Sequence, residues 1–288
     1  MITEESSQQQ LTPLPEEHGE PPVHVPGSGL TSASEDRALP WVEVAKALGI
    51  WVVSILLLLF MPLIAILPYI IYKLSTVGAS VLTPEALTRD KWLIFYSVVG
   101  ILPTHVITLA FTWFLVTEGG RYPFRKAIGW EWPGRPSRVT IFSILAALGL
   151  YGIALGVTTI WGGSKTDLDL LIESSMYTRV ATALVAVVTA PLVEEVIYRG
   201  VLYPAVEKVT SPAFAIAVVS LLFAGVHVWQ YRTNIGVILV ITALSFTLTI
   251  ARAVTGKLLP SFIIHLVFNG IQSVLIVLSG FMDKDLIK

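Results

Sequence analysis

The chain has 288 residues, 54% hydrophobic and only 14% charged, with a mean hydropathy of +0.75. Soluble domains average about 25% charged residues, so the polar surface needed to coat a water-soluble globule of this size is missing. The absence of cysteine excludes disulfide scaffolds, cysteine nucleophiles and thiolate metal sites. A net charge of −1 provides no basic field for nucleic acid. What remains is one polytopic membrane domain, in contact with a lipid bilayer.

Charge is unevenly placed. Residues 1–40 carry a net −6 and the remainder a net +5. The first 40 residues are rich in Pro, Gln, Ser and Glu and hold no apolar run, so they cannot offset the entropy of ordering. They read as a disordered acidic tail. It is either simply solvated or a docking site for a partner. The order of a secretory signal peptide, basic then apolar, is missing. Residues 41–288 form the membrane domain.

A spanning helix needs about 20 mostly apolar residues. Such runs lie near 47–73, 92–116, 139–161, 179–198, 213–229, 234–253 and 259–281. The first contains Pro62 and Pro68 and is expected to kink or break, and the helix holding residue 198 has room to run on to about 207, so the fold class is an all-α bundle of seven or eight transmembrane helices. Trp41, Trp92, Trp130, Trp132 and Trp161 sit at run edges, as interface anchors do. The loop 117–138 holds Arg121, Arg125, Lys126, Arg135 and Arg138, and the positive-inside rule places it in the cytoplasm. The N-terminal tail, two spans earlier, falls on the same side.

Ionisable groups inside a span are costly and are functional hypotheses by default. Glu194 and Glu195 are followed by Arg199. Glu195 and Arg199 are four apart with the acid first, the favourable order on a helix. Glu194 is rotated by about 100° and has no in-helix partner. Glu195 is therefore expected to stay ionised through Arg199, leaving Glu194 as the acid/base. Pro191, just upstream, should distort the helix and free backbone groups. His227 ends an apolar helix one turn after Phe223, and Gly225 offers room for a neighbouring helix. His265 and Asn269 share a face, which Gln272 extends. His105 has no polar neighbour on its face and reads as a packing or interface group.

Each cluster has a bland reading: an interface salt bridge, a packed histidine, an interhelical polar stripe. Together they form a hydrolytic kit. A water held by Glu194 and His227 can be deprotonated to attack a peptide carbonyl. His265 and Asn269 can stabilise the oxyanion.

The residues Ala190-Pro191-Leu192-Val193-Glu194-Glu195-Val196-Ile197-Tyr198-Arg199-Gly200, Phe223 to His227, and Thr255-Gly256-Lys257-Leu258-Leu259-Pro260-Ser261 running into His265 and Asn269 resemble the type II CAAX prenyl endopeptidases, or CPBP family of intramembrane proteases, over about 178–280. The resemblance implies about eight helices around a conical intramembrane cavity. It implies Glu194 and His227 as the water-binding pair, Glu195 and Arg199 as orienting groups, and His265 and Asn269 as the oxyanion site. It implies a peptide or membrane-protein substrate, prenylated in eukaryotic relatives, and bacteriocin immunity or scaffolding in some prokaryotic ones.

Simple alternation of the spans sets Glu194 and His265 toward the cytoplasmic half and His227 near the outer end, roughly 20 Å away at 1.5 Å per residue. The catalytic reading therefore requires a short, tilted or deeper helix around His227. No cofactor is expected. The competing reading is a zinc protease using Glu194, His227 and His265, although no H-E-x-x-H spacing supports it. A non-catalytic immunity or scaffold protein and a proton-coupled transporter are the readings from other classes.

Overall fold

A computed structural model describes residues 40–282. The acidic tail expected over 1–40 lies outside the described residues, save Pro40. Within them the regular secondary structure is all helical and includes seven helices long and apolar enough to cross a membrane. We label these α1 (Pro40–Val77), α2 (Lys91–Val116), α3 (Pro136–Trp161), α4 (Met176–Glu207), α5 (Pro212–Tyr231), α6 (Ile235–Thr255) and α7 (Leu259–Met282). The protein is an all-α, multi-pass integral membrane protein.

Pro62 and Pro68 do not break α1, which continues through both as one helix. Its side chains from Leu56 to Ile64 are largely exposed and apolar, as a lipid-facing surface should be. The core lies around α4. Val193, Ile197, Leu202, Tyr203 and Val206 pack with Ala215, Val219 and Phe223 of α5 and Ala47 of α1. A second cluster joins Ala147 and Leu150 of α3, Leu244 and Leu248 of α6, and Ile264 and Phe268 of α7.

The connections sort into two ends. At one end Arg232 pairs with Asp167 at 2.6 Å and Thr233 donates to the Lys165 carbonyl, so the 162–175 and 232–234 loops meet. At the other, Lys257 pairs with Glu131 and Leu258 N–H donates to the Gly129 carbonyl at 2.8 Å. That end also gathers the start of α1 and the 208–211 turn, around a cavity of about 110 Å³ lined by Glu43, Lys46 and Lys208 among others. The basic loop 117–138 is thus folded onto the α6–α7 turn rather than free of the bundle.

α4 is longer than its apolar run, and its backbone changes type along its length. Met176–Leu184 is α-helical, Val185–Thr189 is π-helical, Ala190–Glu195 is α-helical, Val196–Leu202 is π-helical again, and Tyr203–Glu207 closes as α-helix. Both wide stretches run into a proline. Ala190 N–H bonds Val185 O, five residues back, and Pro191 follows. Tyr203 N–H bonds Tyr198 O, again five back, and Pro204 follows. Proline has no N–H to continue either ladder and its ring crowds the preceding turn. Wide turns of this kind are rare and favour functional sites.

Candidate active site

The extended α4 resolves the depth conflict. Glu194 lies about thirteen residues before Glu207, and His227 about fifteen after Pro212 on the other side of a tight turn. At 1.5 Å per residue each is roughly 20 Å deep from the same end. His265 reaches the same region because α7 starts inside the protein: Leu258, Leu259, Pro260 and Ser261 are all buried.

Phe223 joins the pieces. Its ring lies 4.8 Å from that of His227, 5.9 Å from His265 and 5.1 Å from Tyr198 between centroids, and 4.7 Å from the Arg199 guanidinium carbon. The spacing of Phe223 and His227 has a second use. His227 Nδ1 is 2.8 Å from the Phe223 carbonyl. A carbonyl only accepts, so Nδ1 carries the hydrogen, and Nε2 of the neutral ring is left as an acceptor.

The adjacent glutamates have opposite environments. Glu195 and Arg199 are both fully buried. Glu195 Oε1 accepts from Arg199 Nη1 at 2.9 Å and from His265 Nδ1 at 3.0 Å. Arg199 also donates to Thr249 Oγ1 at 3.2 Å and to the Ser245 carbonyl and hydroxyl at 3.0 and 2.8 Å. The expected pair is therefore present, and every guanidinium nitrogen is bonded, as a buried charge requires. Glu194 is instead 26% exposed, and its Oε2 lies 3.5 Å from His265 Nε2. The imidazole of His265 thus stands with one carboxylate at each nitrogen.

Asn269 Nδ2 donates to the Ala186 carbonyl at 3.0 Å. This is the carbonyl that residue 191 would serve in the π register, had it an N–H. Asn269 fills the gap left by Pro191 and keeps one amide hydrogen free.

Three sequence expectations need correction. His105 is not an isolated packing group: Thr108 and Thr112 share its face and are buried with it. Its Nδ1 is 2.8 Å from Thr189 Oγ1, at the end of the first wide stretch, and it lies within electrostatic range of Glu194. Gly225 faces open space, not a neighbouring helix. Gln272 is exposed and does not extend the His265–Asn269 cluster. Sequence reasoning also missed Ser245 and Thr249, whose four-residue spacing on α6 was the available signal, and Trp51, whose Nε1 donates to Tyr198 Oη at 3.0 Å.

Residues 176–271 match the family model described as type II CAAX prenyl endopeptidase Rce1-like. The matched segment is thus similar to CAAX-type intramembrane proteases. No curated protein and no solved structure matches the chain. The matched segment runs from the start of α4 into α7 and includes Glu194, Glu195, Arg199, His227, His265 and Asn269.

Among the described residues no three His, Asp or Glu side chains gather as a metal-binding group. Two cavities lie away from Glu194, His227 and His265. One, of about 210 Å³, lies at the α1–α2 connection beside Tyr69, Lys73 and Asp90, and the other at the basic end.

Proposed function

We propose that the protein is an intramembrane endopeptidase that hydrolyses a peptide bond of a membrane-bound, prenylated substrate with a glutamate-activated water. The observation that carries this reading is the asymmetry of the two glutamates. Glu195 is sealed and neutralised, whereas Glu194 is reachable and faces the free edge of His265.

In this reading Glu194 takes a proton from water while His227 Nε2 holds that water by accepting its other hydrogen. The hydroxide attacks the carbonyl carbon. The oxyanion is met by the second amide hydrogen of Asn269 and by His265. With both ring nitrogens protonated, His265 donates to Glu195 through Nδ1 and to the oxyanion through Nε2. Collapse breaks the C–N bond, and protonated Glu194 returns its proton to the leaving amine. Glu195 and Arg199 orient His265 and do not touch the substrate.

The end bearing Lys46, Arg121, Arg125, Lys126, Lys208 and Lys257 faces the cytoplasm in this reading, by the positive-inside rule. The N-terminal tail lies on the same side, where a partner has access to it. The test is turnover of a fluorescence-quenched farnesylated peptide by purified wild type, Glu194→Gln and His227→Ala. Loss of cleavage in both variants with retained melting temperatures supports the roles. Full cleavage by either removes that residue from the reaction.

A further inference from the structure

The two wide stretches of α4 end in the same way, and only one is served by a motif residue. Past Tyr203 N–H···O Tyr198, the next carbonyl in the π register is that of Arg199, whose donor would be the N–H of residue 204. That residue is proline and has none. A buried carbonyl without a donor costs about 1–3 kcal/mol. The vacancy is filled from α6: Arg252 Nε donates to Arg199 O at 2.9 Å. Arg252 does for Pro204 what Asn269 does for Pro191.

Arg252 is itself held. It is only 8% exposed. Gly129, with φ +73°, lies so close that a Cβ there would sit 3.0 Å from Arg252 Nη2 and 3.3 Å from its Cζ. Gly129 is fixed in turn by its carbonyl, which accepts from Leu258 N–H. The 128–131 loop therefore packs against the Arg252 guanidinium, Arg252 Nε donates to the backbone of Arg199, and the Arg199 guanidinium donates to Glu195, which also accepts from His265.

We infer that Arg252 is a positioning residue for the Glu195–Arg199 pair, acting by supplying the donor that Pro204 withholds from the Arg199 carbonyl. This rests on the protease reading above for its effect on turnover, but not for its effect on the helix. Misplacement of a catalytic group by about 1 Å can cost about 10²-fold in rate.

The test is a double-mutant cycle on the full chain in detergent, with Arg252→Ala, Pro204→Ala and both together. Turnover of the quenched farnesylated peptide and melting temperature are read for each. The expected results are a fall in kcat of about 10²-fold in Arg252→Ala with KM within about twofold, and recovery of at least about tenfold when Pro204→Ala restores an N–H. Unchanged kcat per folded molecule in Arg252→Ala overturns the proposal, as does a double variant no better than the single one. If Arg252→Ala does not fold, a folded and active double variant supports the proposal and an unfolded one overturns it. If wild type cleaves nothing, the protease reading fails separately. The melting temperatures then decide: a double variant more stable than Arg252→Ala supports the shared carbonyl, and additive losses overturn it.

Discussion

Asn269 on α7 donates a hydrogen bond to the Ala186 carbonyl on α4, at the one backbone position that Pro191 leaves unserved. One amide hydrogen of Asn269 thus holds the helix that carries Glu194, and the other is available to an oxyanion. The two uses are separable. Asn269→Ala is expected to lower both melting temperature and turnover, the latter by about 10²–10³-fold. Adding Pro191→Ala returns a backbone donor to Ala186, so melting temperature should recover while turnover stays low. Recovery of turnover as well would show Asn269 to be a brace alone.

The two glutamates should fail differently. Glu195→Gln leaves Arg199 charged and fully buried without its counter-ion, and breaking such a pair costs about 3–5 kcal/mol. Glu194→Gln removes a group that is partly exposed and lies 3.5 Å from His265 Nε2. It should abolish turnover with little change in stability. Melting curves and single-turnover assays on both variants check this. Equal destabilisation would contradict the assignment of structural and chemical roles.

His105 and Thr189 tie α2, which lies outside the matched family segment, to the helix bearing Glu194. Thr189→Val keeps the shape and strips the hydroxyl, leaving His105 Nδ1 unpaired. A loss of about 1–3 kcal/mol is expected, with peptide KM unaffected. Chemical denaturation and steady-state kinetics measure the two effects.

The basic-end loop has a titratable latch. The hydrogen bond and charge of Lys257 hold the Glu131 carboxyl below the ordinary glutamate range. A carboxylate depressed in the folded state stabilises it above the unfolded pKa of about 4.3, and that contribution is lost as pH falls through the folded value. Wild type should therefore melt above Glu131→Gln at pH 7, and the gap should close under acid. It should also shrink with salt, since the pair is partly exposed. A gap that is the same at pH 7 and under acid would place the stabilisation elsewhere.

Much of this was legible because membrane solvent makes few demands and makes them strictly. Seven apolar runs became seven helices, and the i, i+4 spacing of Glu195 and Arg199 became a buried ion pair. The end of α4 was legible as one of two readings: its apolar run closes near residue 198, and the expected run-on to about 207 is what the structure has, because Tyr198, Arg199 and Glu207 find partners inside the bundle. That extension set Glu194 deeper than hydropathy implied. The π stretches had only Pro191 and Pro204 as signals, and proline alone does not say whether a helix kinks, ends or widens. The contacts of His105 and Arg252 were not legible because each reaches a backbone or hydroxyl group across the bundle. No spacing along the chain encodes such a contact.

The most direct test of the glutamate–water mechanism uses purified wild type and Glu194→Gln with quenched farnesylated and unprenylated peptides, each with and without chelator. The account predicts cleavage by wild type alone, indifferent to chelator and favouring the farnesylated peptide. Cleavage by Glu194→Gln, cleavage abolished by chelator and restored by zinc, or no cleavage of either peptide by wild type would each contradict it.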